Sequence, residues 1–409
     1  MNTKRIYPTY TVTPKAEIAL KSGHPWVYAE EITSELPEIE NGSLVDVLSQ
    51  KGSYLGTGFY SEKSKIRIRV LSSNANDKFD EAFFERRLRY AVNYRKTVMR
   101  DDFSCCRLIF GEADGLPGLT VDRFEKILVS QVLSFGMDKI KGIVFQLLIK
   151  ILAEMGEKID GVYERNDVAI RALEGLDEYK GWYELDDIVH PTETKTEIIE
   201  NGVKYEVDFE NGQKTGYFLD QKYNRLEIAR LSRGKYVLDC FTHTGSFAFN
   251  ALMGGAEHVT AVDVSKTAIA QAKQNAERNC FGERIDFLTA DVFDLLPQLA
   301  ETKKSPYDFI ILDPPAFTKS RKTIRNAQGG YKEINYRAMK LLPRGGYLAT
   351  CSCSHFMDNK MFEKMLQTAA TEANVQLKQI EVRQQSADHP ILWNVPETDY
   401  LKFYIFQVI

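Results

Sequence analysis

Hydrophobic and polar positions alternate over short stretches in the first part of the chain. Residues 45–48 and 66–70 alternate, and a third apolar run, residues 54–60, carries two glycines. A period of two residues is typical of half-buried β-strands, and several short strands between turns favour a small antiparallel sheet. The pattern predicts a small β-barrel over residues 1–75.

The period changes to that of a helix between residues 79 and 99, where Phe83, Leu88, Ala91 and Val92 fall on one face. Further elements are predicted as strands at 107–110, 119–121, 125–133 and 161–164 and as an apolar helix at 137–155. Three strands, a helix and a strand are typical of a compact α+β module. We therefore expect a central α+β domain over residues 76–190.

The remaining part of the chain has the pattern of an α/β domain. Asn201-Gly202 stands between two alternating runs, which predicts a β-hairpin. From residue 235 onward, strand-like and helix-like segments alternate, as a doubly wound sheet requires. We predict an α/β fold class, in which a Rossmann-like domain over residues 191–409 is preceded by the small β-barrel and the α+β domain.

The first strand of this Rossmann-like domain ends in a tight turn. Asp239 lies in a hydrophobic run, and Thr244-Gly245 leads into the next helix. A nucleoside must approach the backbone of such a turn, and glycine permits the conformation. The turn lacks the dinucleotide pattern GxGxxG, which disfavours an NAD-dependent enzyme. We place Asp239, Thr244 and Gly245 at a nucleoside site.

Two more acidic residues follow at predicted strand ends. Asp263, with Val264 beside it, ends the second strand, where a carboxylate can accept both ribose hydroxyls. Asp291 and Val292 follow the third strand. In methyltransferases of this fold, an acid there meets the adenine amino group while apolar neighbours cover the ring. This order of acids predicts S-adenosylmethionine (SAM) as the cofactor and methyl transfer as the reaction.

The fourth strand ends in Asp313-Pro314-Pro315. The prolines fix the turn and lack N–H groups, so their carbonyls can accept a hydrogen bond from the amino group of a flat base. Basic residues follow directly, at Lys319, Arg321, Lys322 and Arg325. A solvated loop and a loop that positions phosphates are about equally supported interpretations of these four residues.

Two cysteines stand in the run Thr350-Cys351-Ser352-Cys353-Ser354. A thiolate can attack carbon 6 of a pyrimidine, which makes carbon 5 nucleophilic enough to accept a methyl group. The alternative is that a cysteine here is a small buried hydrophobe. Because the run follows Asp313-Pro314-Pro315, we expect chemistry from one of the two cysteines.

Further motifs carry a resemblance to a known family. They are Gly23-His24-Pro25-Trp26-Val27, Asp114-Gly115-Leu116-Pro117-Gly118-Leu119, Lys214-Thr215-Gly216-Tyr217-Phe218-Leu219-Asp220-Gln221, Ser352-Cys353-Ser354 and Ala387-Asp388-His389-Pro390. Over nearly its whole length the chain resembles the ribosomal RNA large subunit methyltransferase I family. The resemblance implies an N-terminal PUA domain, a central α+β domain and a C-terminal SAM-binding domain. It also implies 5-methylation of one cytosine in 23S ribosomal RNA.

The resemblance also implies roles for particular residues. Phe218, Asp220 and Gln221 are expected near the cofactor. RNA cytosine-5 methyltransferases generally carry Thr-Cys-Ser after a Gly-Gly-x-Leu strand, and counting without a gap places the nucleophile on Cys353. Many of those enzymes have a second cysteine after their Asp-Pro motif, but Ala316 stands at that position here. The group that helps to release the product must therefore be another one, or water.

Charge and composition restrict the possible functions and locations of the protein. The net charge of −4 disfavours a general polyanion binder, although a local basic surface is enough for RNA. No run of about 18 apolar residues, secretory signal or metal-ligand spacing is evident, so we expect a cytoplasmic protein without membrane contact or metal. The expected partner is 23S ribosomal RNA, and a homodimer is one open expectation.

Two alternative functions remain at this point. One is methylation of guanine, at N7 or N2, in which Asp313 and the proline carbonyls hold the base and no thiolate is needed. The other is a SAM-binding protein that recognises RNA without catalysis. The presence of both Asp313 and Cys353 disfavours this second alternative.

Overall fold

A computed structural model of the chain describes residues 6–35, 39–301, 305–318 and 320–409, without the side chain of Arg321. The chain divides into two compact units. The first unit comprises the described residues of Met1–Ile198, Val207–Leu219 and Ala387–Thr398. The second comprises Ile199–Glu206, the described residues of Asp220–Ser386, and Asp399–Ile409. Within the described part of the chain, no helix is both long and apolar enough to cross a membrane.

The first unit begins with a five-stranded sheet and one helix. Its elements are β1 (Thr9–Thr11), α1 (Pro14–Lys21), β2 (Trp26–Tyr28), β3 (Leu44–Leu48), β4 (Tyr54–Tyr60) and β5 (Ile66–Ser72). The strand order is β1-β3-β4-β5-β2. Gly58 is needed in β4 because a Cβ there would lie 2.1 Å from the carbonyl oxygen of Arg69. The three predicted strands, two from alternation and one from an apolar run, are confirmed as β3, β5 and β4.

The second sheet of the first unit follows the predicted strand and helix order. Its elements are α2 (Glu81–Met99), β6 (Cys105–Phe110), β7 (Leu119–Phe124), β8 (Ile127–Val132), α3 (Phe135–Glu154), β9 (Gly161–Arg165) and β10 (Lys180–Tyr183), and the strand order is β10-β9-β8-β7-β6. Asp80 caps α2, since its carboxylate accepts a hydrogen bond from the Phe83 amide at 3.1 Å. The sequence pattern did not reveal β10, which has only four residues and no alternation.

A hairpin joins the segments of the two units. Strand β11 (Lys195–Glu200) pairs with β12 (Val203–Asp208). The two turn residues Asn201 and Gly202 have φ values of +52° and +79°. Two successive left-handed residues are what a type I′ turn requires, so the predicted Asn-Gly hairpin is confirmed.

The second unit contains a seven-stranded sheet. Its strands are β13 (Tyr236–Cys240), β14 (His258–Asp263), β15 (Ile285–Thr289), β16 (Phe309–Leu312), β17 (Tyr347–Ser352), β18 (Leu377–Arg383) and β19 (Lys402–Val408), in the order β15-β14-β13-β16-β17-β19-β18. The first five are parallel, and β19 runs antiparallel to both β17 and β18. The strand order reverses direction between β13 and β16, which is where Rossmann-like sheets bind ligands. The predicted α/β fold class is confirmed.

Helices connect these strands. They are α4 (Lys222–Leu231), α5 (Ser246–Met253), α6 (Lys266–Arg278), α7 (Val292–Glu301), α8 (Ile324–Leu341) and α9 (Asn359–Ala373). One core cluster unites Leu238, Ile310 and Leu348 from the strands with Tyr331 of α8 and Phe362 of α9. Burying these apolar side chains holds the parallel strands together, so their carboxyl ends form one continuous edge.

The segment between β18 and β19 contributes Ala387–Thr398 to the first unit. There the Asp388 carboxylate accepts a hydrogen bond from the Arg107 amide at 2.8 Å. The Asp388 carbonyl accepts another from the buried Arg95 guanidinium at 2.9 Å. The Ala387-Asp388-His389-Pro390 motif therefore includes a structural anchor of the first unit, which the sequence pattern did not indicate.

Candidate active site

Four neighbouring parallel strands bring the predicted reactive residues to one edge of the sheet. Asp239 lies near the end of β13, Asp263 ends β14, Asp313 follows β16 and Cys353 follows β17. In sheet order these strands are β14-β13-β16-β17. Because parallel strands end on the same side, the four residues lie along the crevice expected to receive a ligand.

The turn after β13 is unusually sharp. Phe241, His243 and Gly245 all have positive φ, at +64°, +53° and +87°. A Cβ on Gly245 would lie 2.4 Å from the Phe249 ring, so only glycine fits at the head of α5. The buried Thr244 hydroxyl has no hydrogen-bond partner among the described residues. The turn therefore offers an unused polar group beside a glycine, which fits a polar ligand such as SAM.

Asp239 ties this turn to the sheet. Its Oδ2 accepts hydrogen bonds from the Thr242 hydroxyl at 2.6 Å and from the Ala248 amide at 3.0 Å. Its Oδ1 is buried and accepts no hydrogen bond from the residues that the structure describes. Burial raises the pKa of Asp239 to about 7, although the Thr242 hydrogen bond opposes the shift. Asp239 therefore maintains the turn and leaves one buried oxygen able to accept a hydrogen bond.

Asp263 is held by two backbone amides. The amide of His243 donates to its Oδ2 at 2.9 Å, and the amide of Ser265 donates to its Oδ1 at 2.9 Å. Each carboxylate oxygen can accept a second hydrogen bond. The fixed carboxylate fits the predicted ribose contact, and the neighbouring Val264 side chain is 69% exposed.

Asp291 and Val292 have different surroundings. Asp291 is exposed, and its Oδ1 accepts a hydrogen bond from the Phe293 amide at 2.8 Å at the start of α7. Val292 is buried in the core cluster. The Asp291 carboxylate is therefore accessible to a ligand, whereas the Val292 side chain mainly packs the core. Their cofactor contacts stay predictions.

Asp313 is hydrogen-bonded to a residue that precedes α4. Gln221 Nε2 donates to Asp313 Oδ1 at 3.1 Å. Burial, and then the charge of Asp220, raises the pKa of Asp313 to about 6, while Arg225 and hydrogen bonds from Cys351 and Gln221 oppose the shift. A carboxyl group with this pKa can carry or release a proton near neutral pH.

Asp220 and Gln221 form the turn that leads into α4. The Tyr400 hydroxyl donates to Asp220 Oδ2 at 2.6 Å. Asn224 Nδ2 donates to Gln221 Oε1 at 2.6 Å, which orients the Gln221 amide toward Asp313. Neither Tyr400 nor Asn224 was predicted from the sequence, because no local pattern marks them. Phe218 belongs to the first unit, where its ring centroid lies 5.0 Å from Lys214 Nζ, and its cofactor role stays a prediction.

The two cysteines differ sharply in exposure. Cys351, inside β17, is fully buried, and burial followed by the charge of Asp313 raises the pKa of its thiol. Cys353 lies just beyond the end of β17 and is partly exposed. Its Sγ lies 4.0 Å from the carbonyl oxygen of Pro314. Only Cys353 of the two is therefore accessible to a substrate.

The predicted substrate residues are described in part. Pro314 is buried and Pro315 is exposed. Lys322 is exposed in the short turn that precedes α8. Lys319 lies outside the described residues, as does the side chain of Arg321, so their roles stay predictions.

Comparisons with known proteins identify the domains and the family of the chain. Residues 11–73 match the family model of a PUA-like domain, and residues 184–404 match that of S-adenosylmethionine-dependent methyltransferases. The chain is 40% identical to ribosomal RNA large subunit methyltransferase I of Pseudoalteromonas translucida, over 95% of this chain and 96% of that protein. It is 38% identical to the protein of the same name from Klebsiella pneumoniae, over 100% of both chains.

A solved structure has the same fold. A Streptococcus mutans protein assigned to the SAM-dependent methyltransferases superposes with a TM-score of 0.81 at 22% identity, over 98% of this chain and 100% of that one. The fold and the site define a SAM-dependent methyltransferase with a PUA-like domain. The chain belongs to the ribosomal RNA large subunit methyltransferase I family. The resemblance inferred from its motifs is therefore confirmed.

Proposed function

We propose that this chain methylates carbon 5 of one cytosine in 23S ribosomal RNA, through a covalent adduct between Cys353 and carbon 6 of the base. The observation that carries the proposal is the position of Cys353. Cys353 is partly exposed at the carboxyl edge of the sheet, and its Sγ lies 4.0 Å from the Pro314 carbonyl oxygen. Cys353 follows β17, which pairs with β16, the strand that precedes Asp313. Guanine methylation needs no thiol at this position.

The proposed reaction begins at the sulfur. The Cys353 thiolate attacks carbon 6, forming an S–C6 bond and pushing an electron pair toward N3 of the ring. We propose that Asp313 donates a proton to N3 or accepts a hydrogen bond from the exocyclic amino group. Its pKa of about 6 suits both tasks, because neither protonation state is strongly disfavoured near neutral pH.

The remaining steps restore the base. When bound, SAM would supply an electrophilic methyl group to carbon 5 and leave as S-adenosylhomocysteine. A base then removes the proton from carbon 5, and the electron pair of that C–H bond forms the C5=C6 double bond. The S–C6 bond breaks, its electron pair returns to sulfur as the Cys353 thiolate, and N3 gives any proton that it received back to Asp313. We propose that Asp239, Thr244, Gly245 and Asp263 hold the cofactor, with Val264 and Asp291 at the adenine. Phe218, Asp220 and Gln221 complete this set through the family resemblance.

The RNA must deliver an unstacked base, which costs a few kcal/mol. We propose that basic residues beyond Asp313-Pro314-Pro315 hold the flanking phosphates. Lys322 and Arg325 are exposed there. Exposed cations at this position favour contact with the RNA backbone, which positions a substrate without reading its sequence. Replacing both by glutamate should raise KM for RNA while SAM affinity stays unchanged.

The test is methyl transfer to 23S ribosomal RNA from cells that lack this protein, followed by nucleoside analysis. We expect labelled 5-methylcytidine with the wild-type protein and none with Cys353→Ala. Cys351→Ala serves as the matched variant, because it removes a neighbouring thiol that the substrate cannot reach. It should keep methyl transfer, although the pKa of Asp313 should rise because a hydrogen bond from Cys351 to this carboxylate is lost.

Other outcomes would identify the alternatives. Label in a methylated guanine, unaffected by Cys353→Ala, would replace cytosine methylation by guanine methylation. Transfer to no RNA, with SAM still bound, would favour an RNA-recognition protein without catalysis. Sedimentation of the pure protein would test whether it forms the expected homodimer.

A further inference from the structure

A buried lysine binds the backbone of the segment that carries the proposed nucleophile. Lys402 is the first residue of β19, and it pairs in register with Ser352, the last residue of β17. Side chains opposite each other in an antiparallel pair stand on the same face of the sheet. Lys402 is only 3% exposed. The strand pairing therefore brings an ammonium group out of solvent to the point where the chain turns into Cys353.

The hydrogen bonds of Lys402 surround the Cys353 segment. Its Nζ donates to the carbonyl oxygen of Ser354 at 2.7 Å and to that of Tyr400 at 2.8 Å. An ammonium group has three N–H bonds to donate. Among the residues that the structure describes, Lys402 makes no third hydrogen bond and no ion pair with a carboxylate. One N–H of a buried ammonium is thus left for another partner.

Burying a charge without a counter-ion is costly. Burial lowers the pKa of Lys402 to about 8, and the negative charges of Asp399, Cys353 and Asp358 act in the opposite direction. The two carboxylates act from a distance, since neither forms an ion pair with it. The carbonyls of Tyr400, next to Asp399, and of Ser354, next to Cys353, both accept a hydrogen bond from Lys402, and of these two neighbouring groups Cys353 is the proposed nucleophile.

We propose that Lys402 is the counter-ion of the Cys353 thiolate and keeps this sulfur ionised at neutral pH. The thiol gives its proton to solvent, and the ammonium balances the negative charge that remains on sulfur. Lys402 is thus a positioning residue that activates the nucleophile without touching the base. The inference rests on the proposed function, in which Cys353 is the attacking group.

Other titratable groups also face Cys353. Tyr331 of α8 and Cys351 of β17 both interact electrostatically with it. Burial raises the pKa of Tyr331 to about 12 and that of Cys351 above its usual range, so both groups stay neutral near pH 7. Neither can stabilise a thiolate by charge. Of Lys402, Tyr331 and Cys351, the lysine is the group that carries a positive charge.

The test measures the rate at which iodoacetamide alkylates Cys353 as a function of pH. Mass spectrometry quantifies the modified peptide. The proteins carry Cys280→Ser, because Cys280 is exposed and would react as well. We expect the pH midpoint of Cys353 alkylation to rise by at least about one unit in Lys402→Met, since the loss of a nearby opposite charge raises the pKa of a thiol by about that much. Lys402→Arg should keep the wild-type midpoint.

Two further variants serve as controls for this experiment. Lys402→Gln keeps amide N–H donors for the two carbonyls but has no charge, so it should match Lys402→Met even if methionine disturbs packing. Lys360→Met removes an exposed lysine on α9 and should leave the midpoint unchanged. Equal midpoints in the wild type and in folded Lys402→Gln would overturn the proposal.

Methyl transfer separates this proposal from the proposed function. If Cys353→Ala abolishes methyl transfer but the pH midpoint of alkylation does not change when Lys402 is replaced, Cys353 is supported as the nucleophile and the counter-ion role of Lys402 is contradicted. If the pH midpoint of alkylation depends on Lys402 but Cys353→Ala still methylates RNA, the ion pair is supported and the proposed cytosine mechanism is contradicted. With both correct, Lys402→Gln lowers kcat at pH 7 at least tenfold and recovers part of the loss at higher pH, with KM for SAM unchanged.

Discussion

Gln221 donates a hydrogen bond of 3.1 Å to Asp313, and so joins the turn before α4 to the end of β16. The two residues are far apart in the sequence, and Asn224 orients the Gln221 amide from one helical turn further on. The bond favours the ionised form of Asp313, which burial and Asp220 disfavour. Gln221 therefore helps to set the proton affinity of the carboxyl group that we place against the base.

Replacing Gln221 by leucine should raise the pKa of Asp313 above its present value of about 6, because a hydrogen bond to the carboxylate is lost. A step that needs protonated Asp313 slows as pH rises through this pKa. The descending limb of the pH profile of kcat should therefore move to higher pH. Gln367→Leu, on the exposed face of α9, is the control. A limb that stays in place or moves to lower pH contradicts this role.

Replacing Asp263 by alanine should weaken SAM binding at least about tenfold, since a hydrogen bond to a charged group contributes roughly 1.5–3 kcal/mol. Calorimetric titration with SAM measures the effect. The matched control is Asp286→Ala, which removes an exposed carboxylate on the neighbouring strand that pairs only with His258 in the described structure. Equal affinities for the two variants would remove Asp263 from the ribose contact.

Gly245→Ala tests the turn itself. The new Cβ would meet the Phe249 ring at 2.4 Å in a backbone with a φ of +87°, so we expect lower stability and loss of SAM binding. Gly234→Ala is the control, because it has a φ of +69° but no atom within 4 Å of the added Cβ. It should cost about 1 kcal/mol from the backbone alone and keep SAM affinity. Retained SAM binding in Gly245→Ala would contradict the predicted close approach.

Asp239 should make stability depend on pH. Its pKa rises from the ordinary 3.8 to about 7 on folding, so the folded state binds a proton that the unfolded chain releases. This contribution is fully present below pH 4 and is lost as pH rises through about 7. In urea unfolding, the free energy of unfolding of the wild type should therefore fall relative to that of Asp239→Asn between pH 5 and pH 8. A constant difference across that range would contradict the raised pKa.

Much of the second unit could be predicted because its signals are local. Strands that alternate with helices can pack only as a parallel sheet covered on both faces, and acids at the strand ends then share one edge. Asp239, Asp263 and Asp313 were recognisable for this reason. The Asn201-Gly202 hairpin was predictable because two left-handed residues favour one turn type.

Tertiary structure decided what local patterns cannot encode. The different exposure of Cys351 and Cys353 depends on where β17 ends, and the position of Lys402 depends on the antiparallel pairing of β19 with β17. The Ala387-Asp388-His389-Pro390 motif reads as part of the Rossmann-like domain, yet its backbone completes the first unit. The sequence alone determined most of the order of elements, the class of cofactor and the family. Burial and the pairing of distant strands decided which thiol is accessible and where Lys402 lies, because these depend on contacts between residues far apart in the chain.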